Sequence, residues 1–332
     1  MANYPQLDNA SGVWNLRDVY DAVTGGYWPN ANNRAIVAGG FTPSYTSVIS
    51  DFNMASSGTT TSFGSLDIAR GEFGAMSNFT RCVFAGGNET PGGTNSNTLD
   101  YVQFATKGNT ANFGTIGADS QRTQGVGGNA TRGVFTEGTS DTNQIQYITI
   151  NSLGNAVDFG DRTLSGTYAA GVTSPTRTCF GGAFTPSTSN VIDFIEIATT
   201  GNAVDFGDLS NSIRDAGGCS SSTKGVFMGG ITPSYLNVLD LITIASQGNA
   251  TDYGDLTSAA RGNTGVSNSV AGFSCGGETS PAVVETINKF VIATGGTATD
   301  FGDLIEPTKN SASNSAAHGG LNDGYQGTRP IP

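Results

Sequence analysis

A single histidine, His318, occurs among the 332 residues. That scarcity excludes a Ser/His/Asp or Cys/His nucleophile arrangement anywhere but in the last stretch of chain, because each needs an imidazole beside the nucleophile. Basic residues are also few: 15 Lys and Arg stand against 27 Asp and Glu, for a net charge of −12. Nucleic acid is therefore not an expected partner, since phosphate binding needs clustered cations. The same balance argues against anionic membrane surfaces. No apolar run reaches the ~18 residues a membrane span needs, so no membrane insertion is expected. The opening MANYPQLDNASG has neither a basic start nor an apolar core, so it does not read as a secretory signal. The four cysteines, Cys82, Cys179, Cys219 and Cys275, have no CxxC spacing and no histidine nearby. Three of them fall in the equivalent strand of alternate repeats, which keeps them apart, and all four read as small buried thiols.

Charged residues make up only 13% of the chain, too few for a disordered polyelectrolyte, while glycine is abundant at 48 residues. The polar remainder is largely Ser, Thr and Asn, the filling of short strands and turns. Against this background one phrase recurs. It is NVIDFIEIATTGNAVDFGDL at 190–209, NVLDLITIASQGNATDYGDL at 237–256 and ETINKFVIATGGTATDFGDL at 285–304. A further copy runs over 144–164, and two worn ones over 48–66 and 98–116. The aromatic-glycine steps fall at Phe63, Phe113, Phe159, Phe206, Tyr253 and Phe301, with gaps of 50, 46, 47, 47 and 48 residues. A sixfold period near 48 is the signature of a repeat architecture.

Each unit carries four strand signals. In the unit opening at Arg214 they are RDAGGCSSS (214–222), TKGVFMGG (223–230), NVLDLITIA (237–245) and NATDYGDL (249–256). The third strand is apolar on both faces: Val191, Ile195 and Ile197 alternate with Ile192 and Phe194. A sheet wet on one face would alternate apolar with polar. Coverage on both faces is met by sheets arranged radially, so the expected fold is all-β, a β-propeller of four-stranded blades. The double glycine recurs at Gly39-Gly40, Gly86-Gly87, Gly181-Gly182, Gly229-Gly230, Gly276-Gly277 and Gly319-Gly320, with Glu137-Gly138 in the third unit.

These residues resemble the kelch repeat over residues 34–320. In that family an arginine opens the inner strand, matched here by Arg70, Arg122, Arg214 and Arg261, with Lys309 in the last copy and Thr167 departing in the fourth. The aromatic here is Phe or Tyr before glycine, where the family usually has tryptophan. The resemblance implies a six-bladed kelch-like propeller. The first unit starts at RAIVAGG without an inner strand, and 308–317 supplies a spare one, so the C-terminal stretch is expected to complete the first blade. Propeller enzymes offer no match. The multi-histidine pattern of kelch-like copper oxidases is missing, as are the Ser-x-Asp-x-Gly-x-Thr-Trp boxes of sialidases. Every glycine cluster sits between strands, where a dinucleotide fingerprint would need a helix to follow. The reading is of a protein that is not an enzyme and has no catalytic residues, cofactor or assigned metal.

Two kinds of residue remain as binding candidates. The Asp-aromatic-Gly-Asp steps at Asp158/Asp161, Asp205/Asp208, Asp252/Asp255 and Asp300/Asp303 read either as a carboxylate ring for calcium or as turn caps and partners of the arginines seven to nine residues on. The second reading is the preferred one. The loops after the double glycine, between the second and third strands of a unit (the b–c loops), are FTPSY, FTPST and ITPSY and put Phe41, Tyr45, Phe184 and Tyr235 on one face. They read either as rings placed to stack on sugars or as turns that proline merely stiffens, and here too the second reading is the preferred one.

Residues 1–33 lie outside the repeat. Leu16, Val19 and Tyr20 share a helical face over 15–24, capped by Asn15 and ended by Gly25-Gly26. Both tryptophans, Trp14 and Trp28, flank this short helix, and Tyr27 precedes Trp28. Such a helix needs a surface to dock on, so these six side chains are the expected anchor or interface, on another chain or on the propeller itself. The phrases TTGNAVDFGDL and SGVWNLRDVYDA…GGYWP resemble those of tail and fibre proteins of tailed bacteriophages. That resemblance implies a multi-copy or homo-oligomeric virion component, made in the host cytoplasm. It would bind other virion proteins through residues 1–33 and a host surface polysaccharide through its loops. Two alternatives stay open: a capsid decoration or other purely structural phage component, and a cellular carbohydrate-binding or scaffold propeller.

Overall fold

The computed structural model of the chain describes residues 33–89, 94–117, 123–136, 138 and 142–317. The anchor residues, His318, Arg122, Glu137 and the last double glycine lie outside them. Among the described residues there is no α-helix, and the strands form six blades. From the axis outward, blade 1 is Ala312–Ser315, Arg34–Ala38, Val48–Asn53 and Thr61–Ser65. Blade 2 is Gly74–Ser77, Arg81–Ala85, Thr98–Gln103 and Ala111–Thr115. Blade 3 is Val126–Gly128, Arg132–Thr136, Gln144–Thr149 and Val157–Asp161. Blade 4 is Ala170–Thr173, Arg177–Phe184, Thr188–Glu196 and Val204–Ile213. Blade 5 is Gly217–Ser220, Lys224–Met228, Ser234–Thr243 and Thr251–Ala260. Blade 6 is Thr264–Ser267, Ala271–Cys275, Thr286–Val291 and Thr299–Asp303.

The ring closes inside blade 1. Ala35, Ile36, Val37 and Ala38 pair antiparallel with Ser315, Asn314, Ser313 and Ala312, so the two ends of the described chain share one sheet. Turns between the first and second and between the third and fourth strands lie on one face of the ring. The b–c loops and the links from each fourth strand to the next blade lie on the other.

Apolar packing lies between blades, which is why the third strands are apolar on both sides. Phe206 of blade 4 is 3% exposed and packs on Phe227, Ile242 and Ile244 of blade 5. Phe63, Phe113, Phe159 and Phe301 are buried against the following blade in the same way. Tyr253 is half-buried, because its hydroxyl reaches outward to donate to the Ile292 carbonyl. The four cysteines are buried free thiols. Burial alone raises the thiol pKa of Cys82, and burial with a weaker opposing hydrogen bond pushes Cys219 up to about 12.

The repeated phrase also works as a clasp. The Gly248 amide donates to the Phe206 carbonyl of the preceding blade at 2.9 Å, and Ala250 to Asp208 at 2.7 Å. The same two bonds recur as Gly201 to Phe159 and Ala203 to Asp161, at 2.8 and 2.7 Å. The asparagine between them completes the clasp: Asn202 and Asn249 Oδ1 accept the amides of Asp161 and Asp208, each at 3.1 Å. Gly207 is needed for this approach, since its φ is +149° and a Cβ there would sit 2.5 Å from the Gly248 carbonyl oxygen.

A second clasp begins at the first residue of the second strand in blades 2, 3 and 4. Arg81, Arg132 and Arg177 lie over Tyr101, Tyr147 and Phe194 at 4.5, 4.4 and 4.7 Å. Each guanidinium then donates to a carbonyl of the next blade, on Ile150, Ile197 and Ala245. At the axis, hydroxyls link the inner strands. Ser77 Oγ donates to the Ser315 carbonyl, Ser315 Oγ to Ser267, and Ser267 Oγ to Ser220, at 2.8, 2.7 and 2.7 Å.

Candidate functional site

Among the described residues the inner strands of neighbouring blades approach closely around the axis. A Cβ on Gly171 would lie 1.9 Å from the Val126 carbonyl oxygen, and one on Gly265 2.1 Å from that of Gly218. The cavity at the axial mouth is only about 40 Å³. A collar of left-handed residues surrounds that mouth: Glu72, Tyr168, Asp215 and Asn310, with φ between +55° and +61°. Their amides run round the axis, Glu72 to Asn310, Asn310 to Gly262 and Gly262 to Asp215, at 2.8, 2.6 and 2.8 Å. Left-handed backbone costs a non-glycine residue about 1 kcal/mol or more. Here the ring of blade-to-blade hydrogen bonds holds it in place.

The sequence-derived loop residues stand on this face. Phe41 and Tyr45 meet edge-to-face at 5.5 Å in blade 1, while Phe184 and Tyr235 are on blades 4 and 5. All four are half-buried, and the exposed points of the loops are Pro43-Ser44, Pro186-Ser187 and Pro233-Ser234. The structure joins the aromatics through cations. Lys309 lies over Phe41 at 5.7 Å, Arg261 over Tyr235 at 5.4 Å and Arg214 over Phe184 at 4.1 Å. Glu278 bridges two of these cations, with Oε2 2.7 Å from both Arg261 Nη2 and Lys309 Nζ. Burial works against the Arg261 charge, but the Glu278 hydrogen bond outweighs it and the guanidinium pKa is raised. Burial likewise pushes Glu278 up, yet its bonds to Lys309 and Arg261 win and hold the carboxyl below its usual range. The result is an arc of rings, cations and carboxylates across blades 5, 6 and 1, continued by Arg214 and Phe184 on the blade 4 side. It offers ring edges, hydroxyls and fixed charges to a polar ligand.

These pairings correct two expectations. Arg261 and Lys309 do not pair with the aspartates seven to nine residues before them; both turn inward along the face to Glu278, which a short bridge between Arg261 and Glu278 brings alongside. Nor do the kelch-position arginines occupy one structural place. The bridges align Gly71, Thr167, Arg214, Arg261 and Lys309, so Arg70 sits one residue early. Arg70 points into the core and donates to Asp100 at 2.8 Å. Asp252 and Asp300 accept the amides of Gly254 and Gly302 two residues on, at 3.2 and 3.1 Å, which is turn capping. Among the described residues no three His, Cys, Asp or Glu side chains are grouped to hold a metal.

A polar position in the third strand escaped sequence reasoning. Asp100, Gln146, Asp193, Asp240 and Asn288 are all buried there. All five take hydrogen bonds from the segment that leads into their blade: Arg70 to Asp100, Gly117 to Gln146, Thr163 to Asp193, Ser210 to Asp240 and Thr257 to Asn288. Burial raises the Asp240 pKa against its bonds from Ser210. The signal was present as one polar residue at a fixed place in each apolar strand. Trp14, Leu16, Val19, Tyr20, Tyr27 and Trp28 lie outside the described residues.

Compared with known proteins, the chain matches no family model and no curated protein sequence. The fold is that of a six-bladed β-propeller, and such a fold is compatible with a structural or binding role.

Proposed function

We propose that the chain is a structural virion protein of a tailed bacteriophage, a tail-fibre or tail-tip propeller. It attaches to other virion proteins through residues 1–33 and presents the b–c loop face to a host surface polysaccharide. The resemblance of SGVWNLRDVYDA…GGYWP and TTGNAVDFGDL to phage tail and fibre proteins carries the virion part of the reading. The arc of Phe41, Tyr45, Tyr235, Lys309, Glu278 and Arg261 carries the binding part. Half-buried rings fixed by cations lose little freedom on contact, and hydroxyl-rich loop tips beside them suit sugar hydroxyls. A net charge of −12 favours neutral glycans over polyanions.

Binding to an array of bacterial surface polysaccharides tests this. The full chain is expected to bind a defined subset, and Tyr45→Ala combined with Tyr235→Ala should weaken that binding at least tenfold without changing the far-ultraviolet spectrum. Equal binding by the double variant would remove these loops from the reading. Absence of binding to any glycan would favour a purely structural phage component.

A further inference from the structure

The second clasp is altered in blade 1 in a way that leaves space. In blades 2, 3 and 4 the arginine that opens the second strand covers an aromatic ring: Tyr101, Tyr147 or Phe194. In blade 5 the ring's place is taken by Leu241, and Lys224 lies over Tyr253 instead. In blade 6 it is taken by Lys289, which lies over Phe301. In blade 1 the cation is Arg34, and strand register puts Asp51 where blades 2, 3 and 4 have the ring. Asp51 is buried and held by Arg34 Nε at 3.2 Å and Lys107 Nζ at 2.8 Å. A carboxylate is much smaller than a phenol, and the space left is a groove of about 310 Å³. Arg34, Asp51, Asn53, Gly58 and Lys107 line it. Its volume is at the low end of ligand sites, about 300–1,000 Å³.

The chain itself arrives at this groove. Met54 donates to the Asn33 carbonyl at 2.8 Å, so residues 1–32 join the ring beside the 54–60 turn that forms one wall. The blades on either side of blade 1 also expose apolar residues on this face, Phe79 at 49% and Val270 at 61%. Both stand in turns between first and second strands: Phe79 is where the other three turns with described residues have Ala130, Pro175 and Ser222, and Val270 is where they have Thr131, Thr176 and Thr223.

We propose that Trp28 of the same chain fills the blade 1 groove, its indole beneath Arg34 in the place that Tyr101, Tyr147 and Phe194 occupy in blades 2, 3 and 4. The five residues from Trp28 to Asn33 reach up to ~17 Å. A guanidinium over an indole is a favourable pair. Seating Trp28 fixes the point and direction in which residues 1–27 leave the propeller, leaving Trp14 and the 15–24 segment to meet another chain. A seated Trp28 does not require the chain to be a virion component.

The chain's only tryptophans are Trp14 and Trp28, so a Trp14→Phe variant makes the fluorescence report on Trp28 alone. Its emission should be blue-shifted, with acrylamide quenching several-fold slower than for a free indole, and both should be unchanged on dilution. Asp51→Tyr, or Asp51→Phe, rebuilds the missing ring; in that background emission should move to the red and quenching should rise several-fold. Solvent-like quenching with the groove intact would overturn the proposal, and that measurement needs no groove variant to fold. Protection that vanishes on dilution would overturn it in favour of a second copy. Unchanged protection in a folded Asp51→Tyr protein would also overturn it.

Discussion

Removal of everything after Asp303 should make the protein aggregate. The lost segment holds Ala312–Ser315, the innermost strand of blade 1. Without it the edge of Arg34–Ala38 faces the axis with its ladder unpaired, and such an edge is a template for other chains. The hydroxyl ring loses Ser315, which links Ser77 on one side to Ser267 on the other. Apolar packing is lost at two interfaces, because Ala312 and Ala316 belong to the cluster between blades 1 and 2 and Ala317 to that between blades 6 and 1. Light scattering after size exclusion should show large species and no monomer peak. A peptide of residues 304–332 added during refolding should restore part of that peak. A well-folded monomer from the truncated chain would show that the ring does not depend on this strand.

Arg162→Ala should destabilise the protein by about 3–5 kcal/mol, the range for leaving one charge of a buried pair without its partner. Arg162 Nε is 3.0 Å from Asp193 Oδ1, and the two side chains are 1% and 0% exposed. Arg162 comes from the link leaving blade 3, whereas Asp193 lies in the third strand of blade 4, so the pair ties two blades together. Asp193 would keep its bonds from Thr163 N and Oγ1, both at 2.9 Å, but its charge would face apolar surroundings. The junction of blades 5 and 6 shows the neutral solution: Leu256 stands where blade 3 has Arg162, and Asn288 where blade 4 has Asp193. Arg162→Leu with Asp193→Asn should therefore recover most of the loss. Urea unfolding of the two proteins checks both values. A double variant no better than Arg162→Ala would mean that the guanidinium acts through something other than charge compensation.

The fold was legible because its signals are local and repeated. The aromatic-glycine step, the double glycine and the doubly apolar third strand each recur within a few residues of one place. Gly39 and Gly40 have φ of +58° and +107°, a conformation in which a Cβ on Gly40 would meet Thr308 Oγ1 at 2.2 Å. The loop aromatics were legible for the same reason, because topology assigns all b–c loops to one face. What those aromatics touch was not. Arg214, Arg261 and Lys309 stand out as cations at a repeat position, yet their partners come from neighbouring blades, whereas the sequence offers only nearby aspartates. Asp193 breaks an apolar strand in a way that means nothing until Arg162, 31 residues earlier, is placed beside it. Arg70 differs from Arg214 by a one-residue shift, which reverses its direction from the face to the core. Asp51 becomes notable only when strand register sets it against Tyr101, Tyr147 and Phe194.

The central claim, a virion propeller carried by its N-terminal segment, is tested most directly by incorporation into particles. Full-length chain and a chain beginning at Asn33 would be supplied in turn during infection by a phage lacking its own copy, and purified particles probed with antibody against the propeller. The account predicts full-length protein in the particles, with the shortened protein folded and soluble in the lysate but missing from them. Full-length protein left outside the particles, or equal incorporation of both chains, would contradict it.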